Sequence, residues 1–151
     1  MPDVRFTPRS YFNAAQERLG EAVQLHQSRQ YFAAHYFAGI AAESILRAIS
    51  VQPGDEFSGN HSIEYWADKA GLLPGDSEGK QTEFRAKLIE LNLRWRANQR
   101  YMTTKMLDTY LHSVGLDGRI RGDRIKFSST RVLELAAEIV GLGVIKWKSA
   151  L

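Results

Sequence analysis

The chain has 151 residues, a net charge of +3, 44% hydrophobic and 25% charged residues, and no cysteine. That balance is typical of a soluble globular protein, and the missing cysteine excludes disulfides, thiolate catalysis and cysteine-ligated zinc. A chain this long buries roughly 70% of the surface its unfolded form exposes, so one domain over residues 1–151 is expected.

No apolar run approaches the ~20 residues of a membrane span. The opening MPDVRFTPRSYF has charges among its aromatics and no apolar core, so it does not read as a signal peptide. No membrane partner and a cytoplasmic location are the expectations. Charge is unevenly placed. Residues 1–75 carry 6 Lys/Arg against 8 Asp/Glu, residues 76–151 carry 14 against 9, and residues 85–131 carry 11 against 4. A local basic surplus of this kind suits a nucleic-acid or nucleotide partner.

In chain order, Thr7 is the expected cap of a first helix that starts at Pro8 and runs to about Arg29, with Tyr11, Ala15, Leu19 and Ala22 on its stripe. His26, near its end, reads as a residue compatible with the helix dipole. The run YFAAHYFAGIAAESILRAI, residues 31–49, forms a second helix that is apolar almost all round, as befits a central helix. Its Ala34, Ala38, Gly39, Ala41 and Ala42 let a neighbour approach closely. Gly39 costs about 1 kcal/mol relative to Ala, which close packing can offset. Glu43 needs a partner in such surroundings, either Arg47 at i+4 or an arginine from another helix. His35 reads as a hydrogen-bonded core histidine.

Residues 52–60 carry loop composition, and a short helix begins near His61 or Ser62 and ends at Gly71, with Ile63, Trp66 and Ala70 inward. A turn at residues 73–76 leads into the main helix, which starts around Glu78 and is expected to run past Trp95 to about Tyr101. Phe84, Leu88, Leu91 and Trp95 share one stripe, extended by Asn98 and Met102. Arg94, Asn98 and Tyr101 then lie along one edge, with Arg96 and Arg100 in a second basic row. Three guanidiniums, an amide and a phenol at one helical end are suited to gripping phosphate.

Thr103 caps a further helix with Met106, Leu107, Tyr110 and Leu111, stopping at Gly115. Residues 118–127, GRIRGDRIKF, alternate basic and apolar, either as a small hairpin or, the favoured reading, as an exposed basic loop. Ser128 or Ser129 is expected to cap the last helix, with Val132, Leu135, Ala136, Ile139, Val140 and Ile145 inward and Lys146 and Lys148 near its end. Gly141 and Gly143 either weaken that helix or permit close contact. The whole reads as all-α, an antiparallel four-helix-bundle core with one or two additional short helices.

P-loop, GxGxxG, HExxH and GxSxG motifs are all missing, and Asp55-Glu56 reads as a solvated turn, so no metal and no cofactor are expected. Two segments, the second helix SRQYFAAHYFAGIAAESILRAI and WRANQRY with the helices after it, resemble the HEPN family over about residues 8–147. That resemblance implies a four-helix core that often dimerises, frequent pairing with nucleotidyltransferases in toxin–antitoxin or phage-defence systems, and in many members an RNase activity. The family's RNase motif is an Arg with a His four to six residues on. Arg94 or Arg96 fits the Arg, but Tyr101 stands where the His is expected and His112 is too distant.

The favoured expectation is therefore a catalytically degenerate HEPN-like module. It binds RNA or a nucleotide through Arg94, Arg96, Asn98, Arg100 and Tyr101, as a homodimer, with a nucleotidyltransferase as a possible protein partner. One alternative is a metal-independent RNase with an altered site, in which Arg94 and Tyr101 are catalytic. Another is a non-enzymatic subunit whose arginines pair with an acidic protein.

Overall fold

The computed structural model describes residues 5–50, 58–72, 77–116 and 122–150, and over these it is all-α with no strand. The elements are α1 (Pro8–Gln27), α2 (Tyr31–Ser50), α3 (Ile63–Ala70), α4 (Glu78–Arg94), a 3₁₀ turn (Ala97–Tyr101), α5 (Thr104–Ser113) and α6 (Arg124–Ser149). Among the described residues, no helix is long and apolar enough to cross a membrane. The expected loop at residues 52–57, with Asp55-Glu56, the turn at residues 73–76 and the basic stretch at residues 118–121 lie outside the described residues.

Side-chain caps set most of the helix starts. Thr7 and Ser10 bond each other's backbone N–H reciprocally at the start of α1, and Ser62, Ser77 and Thr103 each accept a backbone N–H at the heads of α3, α4 and α5. Gly71 closes α3 at φ 64°, a left-handed conformation that a side chain would strain.

Helix α2 occupies the centre, packed against α1, α6 and α3. Its small residues do what their size allows. Gly39 receives the ring of Trp95, and Gly143 of α6 receives Ile45, so at both positions an added Cβ would fall inside contact distance. The main core joins α1, α2, α3, α4 and α6 through Ala42, Ile45, Trp66, Leu91, Trp95 and Ile139 among others. A smaller cluster forms from Leu107, Leu111 and Ile125, with Tyr31, Phe32, Met102 and Tyr110 against it.

Four expectations are corrected. Helix α4 ends at Arg94 and does not continue to Tyr101, because Trp95 leaves helical geometry to reach the Gly39 notch. Helix α6 starts five residues before Ser129, with Asp123 as its cap accepting from Lys126 N at 3.0 Å. Ser128 and Ser129 are instead buried, and residues 124–127 are helical, neither loop nor hairpin. Ile145 points outward, because the inward stripe Val132, Leu135, Ala136, Ile139, Gly143 leaves it on the far side of the turn.

Candidate functional site

The site begins with the way α4 stops. Trp95 and Arg96 are both extended, at φ −116° and −134°, before the chain tightens into the 3₁₀ turn. The Trp95 indole is buried against Gly39 and donates Nε1–H to the Tyr36 carbonyl at 3.0 Å. Carbonyls left open at a helix end need donors. Here Gln99, buried, folds back so that its Nε2 donates to the Arg94 carbonyl at 2.8 Å, and the Tyr110 hydroxyl donates to that of Leu93. A sequence that looks helical is thus held out of the helix.

Because the chain turns at Trp95, Arg96, Asn98, Arg100 and Tyr101 all face solvent. Tyr101 is 76% exposed, and the Arg100 guanidinium lies 4.7 Å from its ring centre, with the Tyr36 hydroxyl also beside it. Arg96 is steadied by donating its Nε–H to the Tyr110 oxygen at 3.3 Å.

Arg94 is placed elsewhere. Its side chain is 4% exposed, with Nε donating to Glu90 Oε2 at 2.7 Å and Nη1 donating to Ser128 Oγ at 3.3 Å, and its guanidinium lies 5.4 Å from the Phe127 ring. Arg131 clamps the same Glu90 carboxylate through two bonds, at 2.7 and 2.9 Å. Hydrogen bonding from Arg131 first, with Arg94 adding to it, holds the Glu90 carboxyl below its usual range. Ser128 Oγ also meets His35 Nε2 at 3.1 Å. Burial first, then the Arg94 charge, lower the His35 pKa to about 3, so its imidazole is neutral.

No protein-family model, curated protein or solved structure matches the chain.

Beside the exposed segment lies a cleft of about 240 Å³ lined by Gly59, His61, Ser62, Asn92, Trp95, Arg96, Ala97 and Asn98. The loop at residues 58–62, which forms the wall opposite Arg96, is held in place by side chains of α2. Glu43 is buried and accepts from Arg47 Nε at 3.1 Å, as the i+4 spacing predicts, and its other oxygen lies 3.0 Å from His61 Nδ1. The Arg47 Nη2 donates to the carbonyls of Ser58 at 3.1 Å and Asn60 at 2.6 Å, while its guanidinium lies 4.4 Å from the Trp66 ring centre. Asn92 Oδ1 accepts the Ile63 N–H at 3.0 Å, tying α4 to the head of α3. Among the described residues, no group of three or more His, Asp or Glu is placed to hold a metal ion.

Of the residues singled out in the sequence, the cleft joins Arg96 and Asn98, with Arg100 and Tyr101 further along the same exposed turn. His61 and Asn92 carry no local signal. The unbalanced Glu43 in an apolar helix was the available clue, and its second partner lies 18 residues on.

Proposed function

We propose that the chain binds single-stranded RNA or a nucleotide through Arg96, Asn98, Arg100 and Tyr101, in the manner of a HEPN-like module. The observation that carries this reading is the turn at Trp95, which leaves two arginines, an amide and a phenol ring exposed within six residues, Arg96 and Asn98 lining a cleft. Guanidiniums supply charge-assisted bonds to phosphate oxygens, and an exposed ring offers a stacking platform for a base. Arg94 supports that face from beneath as part of the Glu90 clamp and makes no ligand contact in this reading. With Tyr101 in place of the family's histidine, binding does not depend on the RNase motif.

The test is fluorescence anisotropy with a short labelled single-stranded RNA across a salt series. Each phosphate contact on a single strand contributes about −0.7 to the slope of log affinity against log salt, so Arg96→Ala and Arg100→Ala are each expected to flatten it by about that amount. Tyr101→Ala is expected to cost about 1–3 kcal/mol of binding through lost stacking. Salt-insensitive binding, or affinity unchanged in all three variants, contradicts the proposal.

A further inference from the structure

We propose that the cleft between His61 and Arg96 seats a terminal phosphate group, the phosphomonoester of a free nucleotide or of an RNA end, in preference to the phosphodiester inside a strand. This rests on the binding reading above and names the part of the ligand that enters the cleft.

His61 and Arg96 line the cleft from different segments, and each is fixed by one nitrogen while the rest stay open. Arg96 donates its Nε–H to the Tyr110 oxygen at 3.3 Å, and Tyr110 donates in turn to the Leu93 carbonyl. The two terminal nitrogens of Arg96 have no hydrogen-bond partner among the described residues, and together they form the fork that grips two phosphate oxygens. His61 Nδ1 lies 3.0 Å from a Glu43 oxygen, and an ionised carboxylate only accepts, so Nδ1 carries the ring proton. Its Nε2, on the far edge of a ring 42% exposed, has no partner among the described residues. The loop that carries His61 is pinned in advance, by the two carbonyl bonds from Arg47 and by the Trp66 indole donating to the Asn60 carbonyl at 2.7 Å. Groups held ready in this way lose little freedom when a ligand arrives.

Charge favours an anion there. Among the described residues the lining of the cleft has no carboxylate. The two acids nearest His61 are occupied elsewhere, Glu43 of α2 by Arg47 and Glu64 of α3 by accepting from Asn92 Nδ2 at 3.1 Å. The open Nε2 then distinguishes two kinds of phosphate. A phosphodiester offers only acceptor oxygens, so it pairs with Nε2 only when the ring holds a second proton. A phosphomonoester, whose second pKa is about 6, meets either form of the ring, donating its own O–H to bare Nε2 or accepting from the imidazolium, and it brings up to one more negative charge to Arg96.

The experiment is fluorescence anisotropy on the full chain, wild type and His61→Asn, with one internally labelled single-stranded RNA ending in a 5′-hydroxyl, a 5′-phosphate or a 3′-phosphate. Competition by a nucleoside 5′-monophosphate, its nucleoside and inorganic phosphate is measured against the phosphorylated strand. Asparagine keeps a donor toward Glu43 but brings no second nitrogen to the cleft. A terminal phosphate is expected to raise wild-type affinity roughly tenfold over the hydroxyl end, and the monophosphate to compete where the nucleoside does not. In His61→Asn the preference is expected to fall to about twofold, with the hydroxyl-ended strand bound as by wild type and Tm unchanged. A monophosphate that competes as well as the phosphorylated strand supports the proposal with a free nucleotide as the source, and a much weaker one supports it with the strand end. Equal affinity for hydroxyl and phosphate ends overturns the proposal and leaves the RNA-binding reading standing. An undiminished preference in His61→Asn overturns the place given to His61, and no binding of any of these ligands overturns both readings.

Discussion

Gly39 is a residue whose absence of a side chain decides the shape of the site. A Cβ there would fall inside the contact distance of the Trp95 ring, so the ring has to move for any other residue to fit. In an exposed helix, Gly→Ala gains about 1 kcal/mol, but overpacking a filled core typically costs about 1–3 kcal/mol. Gly39→Ala is therefore expected to lower stability in urea unfolding and to quench the normal Trp95 environment. A variant more stable than wild type would contradict the notch. His35 makes a second residue-scale prediction. Its folded pKa of about 3 lies below the unfolded value of 6.5, so the unfolded chain binds the proton more tightly. The stability this histidine contributes is complete above pH 6.5 and is lost as pH falls toward 3. Between pH 6.5 and 5 the loss is about 2 kcal/mol, and His35→Asn is expected to remove that slope relative to wild type.

At the scale of elements, the Glu90 clamp joins α4 to α6, since one carboxylate balances Arg94 on its own helix and Arg131 across the contact. Glu90→Gln leaves the buried Arg94 guanidinium without its counter-charge, and a cost of about 3 kcal/mol is expected in thermal or urea unfolding. A change within 0.5 kcal/mol, about the scale of ordinary surface substitutions, would show that the clamp is idle. These elements also mark how far the sequence could be read. The caps at Thr7 and Thr103, the helix start near Ser62, the end at Gly71 and the Glu43–Arg47 pair are visible locally, because each depends on neighbours within four residues, and the centrality of α2 shows in a helix that is apolar almost all round. The end of α4 is not visible locally. LNLRWRANQRY keeps helical periodicity, and what breaks it is a glycine on another helix and the side chains of Gln99 and Tyr110 reaching back to open carbonyls. Ser128 and Ser129 misled for the opposite reason, since good capping residues sat where their hydroxyls serve His35, Arg94 and His26. For the candidate site, the exposed Arg96, Asn98, Arg100 and Tyr101 were legible as residue types, while Arg94's burial and the pairing of His61 with Glu43 required the fold.

Across the whole molecule, α2 is the common support. Its first half seats Trp95 through Tyr36 and Gly39 and meets Ser128 through His35, and its second half fixes His61 through Glu43 and Arg47. The exposed turn and the opposite wall of the cleft are therefore both referenced to one buried helix, which lets two segments far apart in sequence present a joint surface. The basic surplus of residues 85–131 is partly taken up inside, on Glu90, while among the described residues Arg96 lines the cleft and Arg100 is exposed on the same turn. The most direct measurement of the central claim is an amide-resolved NMR titration of the chain with a short single-stranded RNA. Shift changes concentrated in residues 59–62 and 95–101, including the Trp95 indole N–H, are expected, with α1 and the outer face of α6 unmoved. Saturable binding that shifts another surface and leaves residues 95–101 unchanged would contradict it.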